Sequence, residues 1–162
     1  MTEGKLLGHI VSQEGIRIDP KQVEVIRRLS LPSNKIGVKS FFEQVNFLKR
    51  FVPNFIETTK HIVDMMKGNS NFKWREVGKK AFQNIKTAIA NAPILCHPNY
   101  KQDFIIYFYA FEHTLSAILM QNNDEGVQAP IAFMSIPLKN HELKYLQIEK
   151  HAYAVVKAFK KN

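Results

Sequence analysis

Cysteine is almost absent from this chain, which has Cys96 alone among its 162 residues. A single thiol excludes a disulfide within the chain and a zinc site built on cysteines. The six histidines show no metal-ligand spacing. No apolar run approaches the roughly 18 residues that a membrane span needs, and the N-terminus lacks the apolar segment of a secretory signal. We therefore expect an intracellular protein, cytoplasmic or nuclear, without a membrane partner.

Acidic residues are also scarce, with 14 Asp and Glu against 23 Lys and Arg and a formal net charge of +9. The basic excess is spread over both halves of the chain. A polyanionic partner, most simply nucleic acid, would explain this charge, and so would solubility alone. The only adjacent acids, Asp124 and Glu125, lie in a run of turn-forming residues, which favours a solvated turn over a metal site.

Apolar residues make up 45% of the chain, and their densest run lies near the middle. The segment Phe104–Phe111 is apolar or aromatic at every position, so both of its faces need cover, and we predict a central strand. A tight turn near Glu112-His113 leads to a second predicted strand at Thr114–Gln121. A third strand is predicted at Ala129–Ile136.

The residues before this sheet read mostly as helices. A short hairpin, Leu6–Val11 with Ile16–Ile18, comes first. Four helices follow, each with an apolar stripe at helical spacing. The first begins at Asp19-Pro20 and the second at about Lys35, extending to Phe51. The third begins at Asn54 or Pro53, and the fourth just after Trp74. Asp19 is a favoured N-cap and Pro20 a favoured first helical residue.

A final helix is predicted from His141 to about Lys160 by the clearest apolar stripe in the sequence. The stripe consists of Tyr145, Ile148, Ala152, Val155 and Phe159. The fold class is therefore α+β. Residues 1–71 form a hairpin and a small helical domain, and residues 72–162 form three antiparallel strands with flanking helices. The polar segment Gly68–Asn71 is the predicted linker.

Four stretches of the chain match one known family in a fixed order. They are LLGHIVSQEGIRIDPKQVEVIRRL, KSFFEQVNFLKRFVPNF, FKWREVGKKAFQNIKTAIANAPIL and PIAFMSIPLKNHELKYLQIEKHAYAVVKA. They resemble the pol polyprotein of gypsy-type long-terminal-repeat retrotransposons, at the end of the reverse transcriptase and the start of the ribonuclease H domain. The resemblance covers nearly the whole chain.

The resemblance implies a nucleic-acid partner, an RNA–DNA or DNA duplex. Leu7, Gly8 and His9 resemble the primer-grip hairpin, which holds the primer end by its backbone. Residues 19–67 resemble the thumb, whose helices lie along the duplex, and its basic candidates are Lys39, Lys49 and Arg50. Residues 72–162 resemble the first half of a ribonuclease H-like fold, in which carboxylates bind two Mg²⁺ ions that activate water.

The chain departs from the family at both acid positions that it covers. The first acid, in a Thr-Asp-Ala-Ser motif, matches Tyr109, and the second, in a Glu-Lys-Glu-Leu-Leu-Ala pattern, matches His151. A neutral phenol or imidazole is a poor ligand for Mg²⁺, which prefers hard oxygen donors. Glu149 lies about two positions round the helix from His151. We therefore predict no retained catalytic residue and no metal cofactor for this chain.

Three further readings stay open at this point. The chain could be a residual basic nucleic-acid-binding module. It could be a structural or protein-interaction remnant that self-associates through an uncovered sheet, because unpaired strand edges invite partners. It could also be part of a longer chain that carries the family activities of RNA-directed DNA polymerase and ribonuclease H.

Overall fold

The computed structural model describes residues 3–68 and 72–160. In these residues the α-helices span Pro20–Arg28 (α1), Lys35–Asn46 (α2), Phe55–Met66 (α3), Glu76–Ala90 (α4) and Gln147–Lys160 (α5). The strands span Gly4–Leu6 (β1), His9–Ser12 (β2), Gly15–Ile18 (β3), Ile105–Ala110 (β4), Thr114–Asn122 (β5) and Gln128–Pro137 (β6). Short 3₁₀ turns occupy Lys49–Phe51 and Glu142–Lys144. The mixture of helices and antiparallel sheets confirms the α+β class.

The division at residue 71 and most of the predicted linker, Gly68–Asn71, lie outside the described residues. No helix in the described part of the chain is long and apolar enough to cross a membrane.

The N-terminal hairpin is a three-stranded antiparallel meander in the order β1-β2-β3, so the predicted single strand Leu6–Val11 is wrong. The chain reverses at Leu7 and Gly8, whose φ angles are 48° and 78°. Two successive residues with positive φ form the tight turn that suits the twist of a two-residue hairpin. The predicted strand is therefore split into β1 and β2, with Leu6 paired to His9.

Helix α1 begins as the sequence predicts. Asp19 is the N-cap and Pro20 the first helical residue. The Asp19 side chain accepts a hydrogen bond from the Lys21 amide at 3.0 Å, which satisfies one of the free N–H groups of the first turn.

The main hydrophobic core lies among α1 to α4 and the N-terminal sheet. The apolar stripe predicted for the second helix is confirmed. Its member Phe42 is half-buried, and its other members are buried: Val38, Phe41, Val45, Leu48 and Phe51. The helix itself ends at Asn46, and the 3₁₀ turn that follows carries Phe51 into the core.

Helices α2 and α4 also meet through an aromatic pair. The Phe41 and Phe82 rings, 4.7 Å apart, add about 1 kcal/mol beyond burial. The apolar spacing of α3 and α4 also predicts that Val63 and Val77 face inward, but these two side chains are 43% and 52% exposed.

A short segment before β4 joins the two sheets. Leu95, which is fully buried, exchanges two backbone hydrogen bonds with Ile16 of β3, at 2.7 and 2.8 Å. The next residue, Cys96, donates its amide to Pro130 O of β6 at 2.8 Å. The N-terminal meander and the second sheet are therefore fixed to each other through two consecutive residues.

The second sheet has the order β4-β5-β6, so β5 is the central strand. The central placement predicted for Phe104–Phe111 is wrong in the described residues, where β4 pairs with β5 alone. The aromatic residues Tyr107 and Tyr109 are instead 40% and 46% exposed. Tyrosine tolerates such a position, because it has an apolar ring and a polar hydroxyl.

Helix α5 packs on the sheet by a different face from the predicted one. It starts at Gln147, not His141, and Ile148, Ala152 and Val155 of the predicted stripe are exposed. The buried residues are Lys150 and Ala154. The Lys150 side chain buries its stem, and its Nζ donates to Glu112 O at 3.0 Å. Phe159 belongs to the part of α5 whose side chains are not described.

The turn before α5 is organised around a buried carboxylate, Glu142, which is 3% exposed. Its oxygens accept hydrogen bonds from the Lys139 amide at 2.7 Å and from the Tyr153 hydroxyl. Burial raises the pKa of Glu142, but these two donors and the charges of Lys157 and His141 outweigh it and lower the pKa overall. The ionised carboxylate therefore fixes the path of the chain into α5.

Candidate nucleic-acid interface

The turn at Leu7 and Gly8 projects from the surface at the tip of the β1-β2 hairpin. Leu7 is 82% exposed. Gly8 O accepts a hydrogen bond from the Asp19 amide at 2.9 Å, and a Cβ at Gly8 would lie 3.0 Å from Phe47 Cε2. The turn is thus held closely against α1 and the end of α2 while its tip stays accessible.

His9, the third residue predicted for this hairpin site, packs inward. Its ring stacks on Phe51, with centroids 5.1 Å apart, and meets the edge of Phe47 at 5.7 Å. Its Nε2 is buried without a hydrogen-bond partner in the described part of the chain. Burial and the nearby charge of Arg50 lower the pKa of His9, against a backbone hydrogen bond with Leu6 that raises it. The ring therefore anchors the hairpin and is neutral at neutral pH.

Lys49 and Arg50 lie on the 3₁₀ turn after α2, and both are exposed. They border a groove of about 310 Å³ between this turn, the start of α3 and strand β6. The other residues that line it are Phe55, Ile56, Ala132, Phe133, Met134 and Ser135. Lys39 is exposed on α2 but does not line the groove. The structure thus brings together two of the three predicted basic residues.

Two hydrogen bonds hold the groove in shape by docking the first turn of α3 on the second sheet. The Ile56 amide donates to Ser135 Oγ of β6 at 3.2 Å. The Thr114 hydroxyl of β5 donates to Glu57 Oε2 at 2.5 Å. Ion pairs in the described part of the chain include neither Lys49 nor Arg50. Neither charge is therefore neutralised by a carboxylate of the described residues.

The position that the resemblance assigns to the first acid, Tyr109, lies on β4 opposite Ser116. Its neighbours Phe108 and Ala110 pack with Tyr153 and Ala154 of α5. Successive side chains of a strand point to opposite faces of the sheet, so Tyr109 lies on the face away from α5.

The second acid position, His151, lies on α5 and is exposed. Its Nδ1 is 2.8 Å from Gln147 O, and the Gln147 side chain donates to Ala110 O at 2.8 Å. The start of α5 is thus tied to the end of β4, but His151 and Tyr109 do not share a face of the sheet.

The residues at these positions do not fit a pair of Mg²⁺ ions. The described part of the chain holds no group of three or more His, Cys, Asp or Glu that could bind a metal. The nearest acid on α5, Glu149, accepts a hydrogen bond from the Leu146 amide at 2.7 Å and caps the helix. Two-metal hydrolysis needs carboxylates around both ions, and here a phenol and an imidazole stand on different faces.

Sequence reasoning missed the part of the groove that comes from the second sheet. Ile56 and Ser135 are 79 residues apart, and no local signal pairs them. It also missed Tyr107, which shares a face of β4 with Tyr109. The signal for that pair was present, since residues two apart on a strand point the same way.

Comparisons with known proteins show similarity to a domain of reverse transcriptases and to retrovirus-related Pol polyproteins. Residues 74–162 match the family described as an RNase H-like domain found in reverse transcriptase. Over 159 residues, 98% of the chain, it is 31% identical to the retrovirus-related Pol polyprotein from transposon 297 of Drosophila melanogaster. Over 135 residues it is 32% identical to that from transposon 412 of the same organism. The chain spans 14% and 11% of these two relatives.

Two solved structures extend the likeness to the whole chain. One is the foamy viral protease-reverse transcriptase in complex with dsDNA, with a TM-score of 0.83, 25% identity and coverage of 99% of this chain and 34% of that one. The other is the same viral protein in complex with an RNA/DNA hybrid, with a TM-score of 0.81, 25% identity and coverage of 98% and 22%. The likeness includes the helical half and the second sheet together.

Proposed function

Because the chain belongs to the family of RNase H-like domains found in reverse transcriptases, we propose that it binds a nucleic-acid duplex without cutting it. In this proposal residues 1–71 are a primer-grip hairpin and thumb-like domain, and residues 72–162 are a ribonuclease H-like domain of a gypsy-type retrotransposon polyprotein. Its expected compartment is the cytoplasm or the nucleus. The family's Mg²⁺ chemistry is absent from the proposal because the acid positions hold Tyr109 and His151.

The observation that carries the proposal is the basic groove between the two halves. Lys49 and Arg50 are exposed beside β6, and the Ile56–Ser135 hydrogen bond docks the start of α3, which also lines the groove, on that strand. Two neighbouring cations that form no ion pair in the described residues suit phosphates along a duplex, whose backbone contacts position a protein without reading sequence. The structural relatives solved with dsDNA and with an RNA/DNA hybrid support this ligand class.

Binding of a short labelled duplex, measured by fluorescence anisotropy, tests the proposal. We expect affinity to fall steeply with salt, because phosphate contacts release counterions. The double variant K49A/R50A should bind more weakly and lower the log–log salt slope by about two, one for each lost contact. Lys79 and Lys80, an exposed pair on α4, supply the matched control K79A/K80A, which should bind as the wild type does. Lys39→Ala should have a smaller effect than either groove substitution.

The same preparation decides whether the chain cuts nucleic acid. Incubated with an RNA–DNA hybrid and Mg²⁺ or Mn²⁺, it should leave the RNA intact. Cleavage that stops on chelation would overturn the non-catalytic part of the proposal, and a wild-type affinity independent of salt would overturn the duplex-binding part.

Self-association is a second candidate, favoured by an apolar surface on α5. Leu146, just before α5, and Ile148 and Val155 on it are 68%, 77% and 39% exposed, and β4 has β5 as its one neighbour in the described residues. Strand edges and apolar patches of this kind invite a second copy. Sedimentation velocity should show a concentration-dependent dimer that Ile148→Lys weakens and Val127→Lys, in a distant exposed turn, does not. A wild type that stays monomeric at every concentration would contradict it.

A further inference from the structure

The described residues cover one face of the second sheet at β6 but leave it open at β4. On this face the residues of β6, Phe133 and Ser135, lie under the helical half, since Phe133 packs against the main core and Ser135 bonds to Ile56. On the same face, β4 contributes Tyr107 and Tyr109. Tyr107 pairs with Ile118 of β5, and Tyr109 pairs with Ser116 of β5. We call Tyr107 and Tyr109 the tyrosine face. The two rings are 40% and 46% exposed, so each presents a large apolar surface to solvent.

The geometry of the tyrosine face is fixed by the strand. Residues two apart on a strand lie about 6.6 Å from each other, and both rings leave the same side of β4. The Tyr107 hydroxyl donates to Gln128 Oε1 of β6 at 2.9 Å, which holds this ring in place across the sheet. Tyr107 is thus a held aromatic platform, and Tyr109 presents a second ring on the same side of the strand.

Charge borders this face on one side. Lys49 and Arg50 line a groove together with Phe133 and Ser135 of β6. Through β5, Phe133 is in register with Tyr107 of β4, and Ser135 is in register with Tyr109. The carboxylate of Glu57 also reaches the face, at Thr114, where it accepts that hydroxyl. Phosphates are therefore favoured toward the Lys49 and Arg50 side, and an uncharged group is favoured over Tyr109.

We propose that the tyrosine face binds a single-stranded segment of nucleic acid. Two successive bases stack on Tyr107 and Tyr109, and the phosphates lie toward Lys49 and Arg50. Exposed aromatic residues on a sheet bind unpaired bases in this way, because the faces of paired bases are already stacked within the duplex. The inference rests on the proposed function, since the chain must bind nucleic acid. It shares Lys49 and Arg50 with the duplex contact, but Tyr107 and Tyr109 belong to the single-strand contact alone.

Anisotropy with a labelled ten-nucleotide oligo(dT) tests the inference on the full chain. Tyr107→Ala and Tyr109→Ala should each weaken binding about five- to 150-fold, the range for loss of one base–aromatic stack. Tyr107→Phe and Tyr109→Phe keep the rings and should bind within about threefold of the wild type. Tyr100, which is 85% exposed outside the sheet, supplies the control Tyr100→Ala, which should not change the affinity.

A second arm with a DNA duplex separates this inference from the proposed function. If the duplex binds normally and the alanine variants keep full affinity for oligo(dT), the tyrosine face is overturned and the proposed function stands. If the alanine variants lose duplex and single strand by the same factor, the face is a duplex contact and the single-strand assignment fails. If the wild type binds neither ligand, the proposed function fails as well. Thermal melting of each variant verifies folding. If an alanine variant is unstable, Tyr107→Leu and Tyr109→Leu replace it, because they keep apolar bulk without an aromatic ring and should lose oligo(dT) affinity in the same way.

Discussion

Replacing Phe51 with alanine should lower the free energy of unfolding by about 3–5 kcal/mol, the usual cost of emptying a buried aromatic site. Phe51 is 0% exposed and ends the 3₁₀ turn that carries Lys49 and Arg50. Its ring stacks on His9 and belongs to the core that Phe133 of β6 also contacts. The cavity would therefore open where the hairpin, the helices and the second sheet meet. Urea unfolding, followed by the fluorescence of the single tryptophan, Trp74, measures the loss.

Phe47 supplies the matched control for this substitution. It meets the same His9 ring, with centroids 5.7 Å apart, but it is 37% exposed. Phe47→Ala removes less buried surface and should cost about 1–2 kcal/mol. Equal losses for the two variants would mean that Phe51 is not the residue on which this junction depends.

The pH dependence of stability gives Phe51→Ala a second readout. Burial, followed by the charge of Arg50, lowers the pKa of His9 in the folded chain. The unfolded chain then binds more protons, so the contribution of His9 to stability is lost as the pH falls from about 6.5 toward the folded pKa. Phe51→Ala removes the ring that stacks on His9, so it should raise the pKa of His9 toward its ordinary value. An NMR titration should show that rise, and the stability lost between about pH 7.5 and pH 5.5 should shrink.

The features that the sequence predicts correctly are those that depend on neighbouring residues. The start of α1 needs only Asp19 and Pro20, because the cap is a contact two residues long. The buried stripe of α2 follows from spacing, since Val38 and Val45 are seven residues apart on one face. The Leu7-Gly8 turn was missed, because the apolar run around it resembles one continuous strand.

The face of α5 could not be predicted, because both sides of the helix carry apolar residues. Ile148 and Val155 lie on one side and Tyr153 and Ala154 on another, so periodicity alone does not choose between them. The choice involves Lys150, whose stem is buried while its Nζ reaches Glu112 O, 38 residues away. The candidate site likewise combines a local feature with a distant one. Lys49 and Arg50 were predicted from a local match, whereas their partner surface on β6 comes from a distant part of the chain.

Replacing Gly15 with alanine should cost about 3–5 kcal/mol, the sum of backbone strain and lost hydrogen bonds. Gly15 begins β3 with a φ of 138°, a conformation that residues with a side chain rarely adopt. A Cβ there would lie 2.3 Å from Leu95 O and 2.9 Å from Ile94 Cγ2. Leu95 O is the acceptor of the Ile16 amide, so relieving the clash must displace the bridge that joins the meander to the second sheet.

Gly78 provides the comparison that isolates this backbone clash. A Cβ at Gly78 would also come within 2.3 Å of another atom, but that atom is Cε of Met65, the end of a flexible side chain that can move aside. Gly78 lies inside α4, where alanine is favoured over glycine by about 1 kcal/mol, so Gly78→Ala should change stability by no more than about 1 kcal/mol. Urea unfolding of both variants should therefore separate two substitutions that are equally crowded by distance. Hydrogen exchange at the Ile16 and Leu95 amides should accelerate in Gly15→Ala alone. If both variants are equally stable and those amides stay protected, the bridge between Ile16 and Leu95 does not hold the two sheets together.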